Sequence, residues 1–131
     1  MATTTATRPA TTFVPSLPAA LLRIEGLTVL LGAIALYAHQ QGSWLVFVVL
    51  LFVPDISMIG YLFNPRLGSM TYNAAHFYTL PALLLVASVA AAFPAGIQLA
   101  LIWFAHIGMD RTLGFGLKYP TAFKDTHMQR V

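Results

Sequence analysis

Four apolar stretches, each near the roughly 20 residues that span a hydrocarbon core, occupy most of this chain. They run from about Leu17 to Ala38, from Trp44 to Phe63, from about Ser69 to Phe93 and from about Ala95 to Leu113. The separators His39-Gln40-Gln41-Gly42-Ser43, Asn64-Pro65-Arg66-Leu67-Gly68 and Phe93-Pro94-Ala95-Gly96 are short and turn-forming. Short connections force neighbouring helices antiparallel, so the expected fold is all-α, an integral membrane four-helix bundle running up-down-up-down. With 131 residues there is room for one domain. Only 8% of the residues are charged, against about 25% in soluble globular chains, and this places the chain in the membrane class. Residues 1 to 16, rich in Thr, Ala and Pro, read as a flexible N-terminal tail. Residues 17 to 113 form the bundle and 114 to 131 a C-terminal cap. Glu25 interrupts what could have been a signal peptide behind Arg8 and Arg23, so the first stretch reads as a retained anchor.

Orientation follows from the basic residues. Arg8 and Arg23 precede or open the first stretch, Arg66 lies in the second separator, and Arg111, Lys118, Lys124 and Arg130 follow the fourth stretch. The first and third separators carry none. In a four-span chain all seven fall on one side, which puts both termini in the cytoplasm. The basic residues are dispersed, which excludes a nucleic-acid surface. The chain has no cysteine, so disulfides and thiolate metal sites are excluded as well.

Against that apolar background Glu25, Asp55, His76, His106 and Asp110 stand out. Each helix contributes at least one of them, about two turns or about 11 Å from the cytoplasmic end. An ionisable group in the bilayer costs about 2.5–3.5 kcal/mol or more, so five at one depth imply a polar site open to the cytoplasm. Asn73 and His76 are spaced i and i+3, and His106 and Asp110 i and i+4, so each pair is expected on one helix face. Pro54, just before Asp55, is expected to kink the second helix and free backbone groups beside a carboxylate. Asp55, His76, His106 and Asp110 make a mixed N/O ligand set for one divalent metal, Zn, Fe or Mn. Glu25 and Asn73 are then candidates for catalytic roles, orienting a ligand or acting as base. The competing reading is a set of interhelical hydrogen bonds, with Asp110 or Asp55 paired to Arg111 or Arg66 and Glu25 to Arg23. His39 is expected in the outer loop, in solvent. Tyr61, Tyr72 and Tyr78 are expected as lipid-facing or interfacial anchors, Tyr72 lying one turn before His76, and the small residues Gly26, Gly32, Ala33, Ala74, Ala75 and Gly108 as close-packing positions.

The segment after Leu113 alternates aromatics, glycines and charges, unlike a disordered tail. It reads either as a cap over the mouth of the site, where Asp125 and His127 could contribute, or as an amphipathic surface segment. Pro54-Asp55 with Tyr61, Tyr72-Asn73-Ala74-Ala75-His76, His106 through Tyr119, and Phe123-Lys124-Asp125-Thr126-His127 together resemble the bacterial membrane family called domain of unknown function 4260. The resemblance covers about Leu21 to the C-terminus. It implies a four-span protein of the bacterial inner membrane and brings no activity.

The expected function is a metal-dependent, hydrolase-like enzyme acting on a lipid or other membrane-soluble substrate, with the bilayer as its partner. A proton-coupled transporter and a non-catalytic assembly subunit are the alternatives. The one-sided charge argues against the dual insertion of small multidrug exporters, and the carboxylates argue against a bis-histidine haem on His76 and His106.

Overall fold

The computed structural model describes residues 15–131. All but the last two positions of the expected N-terminal tail lie outside the described residues. Helix α1 spans Leu17–His39, α2 Trp44–Leu51, α3 Pro65–Ala75, α4 Thr79–Ala90, α5 Pro94–Leu113 and α6 His127–Arg130. A 3₁₀ helix, Val53–Leu62, continues α2. There are no strands among the described residues, only an isolated antiparallel bridge between Lys118 and Thr126. Three segments, Leu17–His39, Trp44–Leu62 and Pro65–Ala90, are long and apolar enough to cross a membrane.

The starts of the helices are written in local chemistry. Ser16 caps α1 by accepting from the Ala19 amide, and Asn64 caps α3 by accepting from Leu67. Proline near the first position of α1, α3 and α5 fixes φ where no amide bond is lost. The turns after α1 and α4 carry Gln41 and Ala92 at φ 52° and 49°, left-handed positions that reverse the chain within a few residues.

Helix α5 is the axis of the molecule. Its buried residues include Ala100, Leu101, Ile102, Ala105, His106, Ile107, Asp110 and Arg111. It packs most extensively on α1, then on α4 and α2. The α1–α5 crossing is set by two glycines. A Cβ on Gly108 would lie 2.7 Å from the Leu30 amide nitrogen and 2.8 Å from the Gly26 carbonyl oxygen. Nothing larger than hydrogen fits there, and the backbones touch. At one end of the crossing Ala33, Tyr37, Phe47, Leu101, Ile102 and Ala105 form an apolar core. The outer faces of α1, α2, the 3₁₀ helix and α4 expose large apolar side chains, among them Leu31, Val49, Ile56 and Val86, a surface suited to lipid.

Two helices are broken, and the breaks matter. Pro54 has no amide to give to Leu50, and the chain tightens from α2 into ten residues of 3₁₀ helix. Runs of that length are uncommon. This one is held by Thr71 Oγ1, which donates to the Ser57 carbonyl at 2.7 Å. The expected continuous third helix is in fact two, α3 and α4, interrupted at His76–Tyr78. The reason is Pro81 in the first turn of α4, which cannot donate to Phe77. Side chains of α5 satisfy the carbonyls freed at the break. Trp103 Nε1 donates to Ala75 at 2.7 Å, and Arg111 Nη2 to His76 at 2.9 Å. Helix α5 ends in a Schellman turn at Gly114, φ 95°, with Phe115 donating to Asp110 and Gly114 to Arg111.

Candidate metal centre

Each helix break delivers a side chain to the same point. Asp55 follows the Pro54 break, in the first turn of the 3₁₀ helix. His76 caps the C-terminus of α3, at φ −118° and ψ 20°. His106 and Asp110 lie one turn apart on α5. One ligand atom from each of these four residues lies within 4.8 Å of every other. Both histidine side chains are fully buried, Asp110 is nearly so, and Asp55 is one-third exposed. Such a group could hold a metal ion.

The carboxylate–imidazole contacts and the imidazole–imidazole contact differ in length. Asp55 Oδ1 lies 3.5 Å from Nε2 of both His76 and His106. Asp110 Oδ2 lies 3.6 Å from His76 Nε2 and 3.8 Å from His106 Nε2. These are too long for good hydrogen bonds. They all lie slightly above the edge of about 3.3 Å expected between ligands of a tetrahedral ion with bonds of about 2.0–2.1 Å. The two imidazole nitrogens lie 2.9 Å apart, at hydrogen-bond distance, so without an ion His106 Nε2 donates to His76 Nε2, an interhelical bond of the kind the competing reading expects.

The surrounding groups orient the ligands. His76 Nδ1 donates to the Tyr72 carbonyl at 2.7 Å, which leaves the Nε2 lone pair facing the centre. The Tyr72 ring stacks on His76 with centroids 3.7 Å apart, and its hydroxyl donates to Asp110 Oδ2 at 2.9 Å. Tyr72 therefore supports two of the four residues and is neither lipid-facing nor an interfacial anchor, being buried against His76 and Asp110. The one-turn spacing from Tyr72 to His76 was the available signal. His106 lacks such support, since its buried Nδ1 has no hydrogen-bond partner.

The electrostatics also ask for a cation. Among the described residues neither Asp55 nor Asp110 pairs with an arginine or lysine. Arg111 is engaged elsewhere, donating to the carbonyls of His76 and Phe115. The expected competing pairs of Asp110 or Asp55 with Arg111 or Arg66 are not formed, and neither is one between Glu25 and Arg23.

The structure separates Glu25 and Asn73 from this cluster. Glu25 is exposed on α1 and lines a different cleft with Gly26, Tyr78, Arg111 and His127. Asn73 turns its amide onto the C-terminal segment, where Oδ1 accepts from the Lys118 amide at 2.7 Å and Nδ2 donates to the Lys118 carbonyl at 2.8 Å. Asp125 pairs with Arg130, and His127 Nδ1 accepts from the Leu117 amide, so neither reaches the centre. Asp55 and Asp110 instead open onto a cleft of about 250 Å³ walled by Met58, Tyr72, Phe115, Lys118 and Phe123. Burial pushes the Lys118 ammonium below its ordinary pKa, while Asp110 and Asp55 counter the shift.

The family model for Domain of unknown function (DUF4260) matches residues 19–131. No curated protein matches the chain, and no solved structure does.

Proposed function

We infer from this geometry that the chain, which belongs to the Domain of unknown function (DUF4260) family, is a membrane metalloprotein with hydrolase-like chemistry. Asp55, His76, His106 and Asp110 hold one divalent ion, and a lipid or other membrane-soluble molecule is the substrate. The observation that carries this reading is the set of four buried or half-buried ligand atoms within 4.8 Å of one another, with two carboxylates that form no ion pair with an arginine or lysine among the described residues. A buried pair of carboxylates is strongly disfavoured without a compensating cation.

A divalent ion held there would supply Lewis acidity, polarising a carbonyl or phosphoryl oxygen of a bound substrate. The chain's own residues do the rest. Tyr72 fixes Asp110 and His76. Asp55, the most exposed of the four, faces the cleft and is placed to accept a proton there. Asn73 positions the C-terminal segment across the cleft, where residues 114–131 act as a cap. The protein crosses a bacterial cytoplasmic membrane four times with both termini inside, a reading supported by its one-sided basic residues.

Elemental analysis of detergent-purified protein tests the centre. Wild type is expected to carry one equivalent of metal. His76→Ala and His106→Ala should lose it in parallel, and His39→Ala should keep it. Wild type that holds no metal after gentle purification in metal-replete buffer sinks the reading.

A further inference from the structure

Lys118 is only 7% exposed, yet it forms no ion pair among the described residues. One of its three donors goes to the Phe123 carbonyl at 2.7 Å. Its ammonium sits 3.5 Å from the Phe123 ring centroid and 4.7 Å from that of Tyr72, and those ring faces offset part of its lost hydration. Two donors and one full charge remain for something in the cleft, whose other charged lining groups are Asp55 and Asp110. With neutral histidines the cleft carries two negative charges and one positive. A divalent ion turns that balance of −1 into +1. The loaded cleft therefore suits a singly charged anion, and the metal-free cleft repels one. Met58, Phe115 and Phe123 wall the same space with apolar surface. A bilayer offers one abundant species that is both apolar and singly charged at its head, the phosphodiester of a phospholipid. Lysine meets phosphate as a point charge and needs no bidentate fork.

We propose that the cleft binds the phosphate head group of a membrane lipid, with Lys118 donating to its non-bridging oxygens. The proposal rests on the metal reading for the sign of the cleft's charge and names the substrate class of that site.

Calorimetric titration of the full chain in detergent tests it. Zinc-loaded protein is titrated with dihexanoylphosphatidylglycerol, with inorganic phosphate and with uncharged dihexanoylglycerol, and zinc content is measured on the same samples. The phospholipid should bind at least about tenfold more tightly than either comparison ligand. Lys118→Met should weaken it about tenfold or more, and Lys118→Arg should restore most of the affinity. Zinc content should stay at the wild-type value in both variants, which a lysine needed only to hold the site together would not allow, while Lys118→Met melts lower for want of its bond to the Phe123 carbonyl. Removing zinc from wild type should abolish phospholipid binding, an arm that needs no variant. Retained zinc with no phospholipid binding, or with Lys118→Met binding as wild type does, overturns the proposal and leaves the metal reading intact. If no zinc is retained, the metal reading fails. The head-group proposal, which takes the sign of the cleft's charge from the ion, then falls with it, and so it does if wild type stripped of zinc still binds the phospholipid. Inorganic phosphate binding as tightly as the phospholipid overturns the lipid source.

Discussion

Asp55 and Asp110 carry opposite expectations depending on whether a cation joins them. As bare carboxylates within 4.8 Å of one another they repel, and neutralising one relieves the protein. As ligands they stabilise the native state through the ion, by about 2.7 kcal/mol when free metal is at 100 times its Kd. Asp55→Asn and Asp110→Asn should therefore melt below wild type with metal present, and at or above it once a chelator is added. A thermal-shift series in both conditions checks this, and a wild-type melting point indifferent to chelator removes the metal from the site. His127 makes a separate prediction. Burial, and then the charge of Arg111, lower its pKa from the ordinary 6.5. Its neutral ring, which accepts from the Leu117 amide, is the folded form. The unfolded chain takes up a proton first, so this stabilisation is full above about pH 6.5 and is lost as pH falls toward the folded pKa. Acidifying metal-free protein from pH 7.5 to 5 should lower the melting temperature of wild type more than that of His127→Gln, and equal slopes would exclude the effect. Residue by residue, the sequence made the four clustered side chains legible because charge in an apolar helix has few innocent uses. It did not make Glu25 legible. Depth along a helix can be read from sequence, but azimuth cannot: Gly26 faces α5, and Glu25, about 100° around the helix, faces outward.

At the scale of the element, the breaks account for what was legible and what was not. The spacing of Asn73 and His76 predicts one shared face only if the helix continues through both. It ends at Ala75, and His76 leaves helical geometry at ψ 20°, so Asn73 points to Lys118 while His76 points to the centre. Pro81 was the signal for that break, masked by the apolar run around it. Pro54 did signal a break before Asp55. That the chain then continues as 3₁₀ helix depends on packing against α3, including the Thr71 bond to Ser57, which no local pattern encodes. The α1–α5 crossing yields the prediction at this scale. Gly108→Ala places a methyl against the backbone of α1, an overpacking worth about 1–3 kcal/mol of stability. Because Asp110 and His106 flank Gly108 on the same helix, metal occupancy should fall with it. Gly32 lies in α1 too, but it is not the close-packing position expected of it, since nothing lies within 4 Å of an added Cβ. Gly32→Ala should leave both melting temperature and metal content unchanged, and a loss equal to that of Gly108→Ala would show that the crossing is not the cause.

For the molecule as a whole the open quantity is the number of crossings. Three segments are long and apolar enough to span a membrane, and α5 is not one of them. Its geometry still fits a span. Twenty residues of α-helix reach about 30 Å, the thickness of a hydrocarbon core. Helix α5 is largely buried, packed on α1, α4 and α2, so in a bilayer those neighbours would meet the lipid in its place and it could carry His106, Asp110 and Arg111. The tight turn through Ala92 starts α5 beside the end of α4 and sends it back along it. If α4 crosses, α5 returns. Both termini should then face the cytoplasm with the basic residues, and the turn at Gln41 should face the other way. Fusions of a fluorescent reporter that matures only in the cytoplasm, and of a phosphatase active only outside it, test this at the N-terminus, near Gln41 and at the C-terminus. Fluorescence at both termini and phosphatase activity only near Gln41 is the expected pattern. Phosphatase activity at the C-terminus would mean three crossings. It would place Lys118 and the cleft outside the cytoplasm and leave the basic segment after α5 against the rule that orients the rest of the chain.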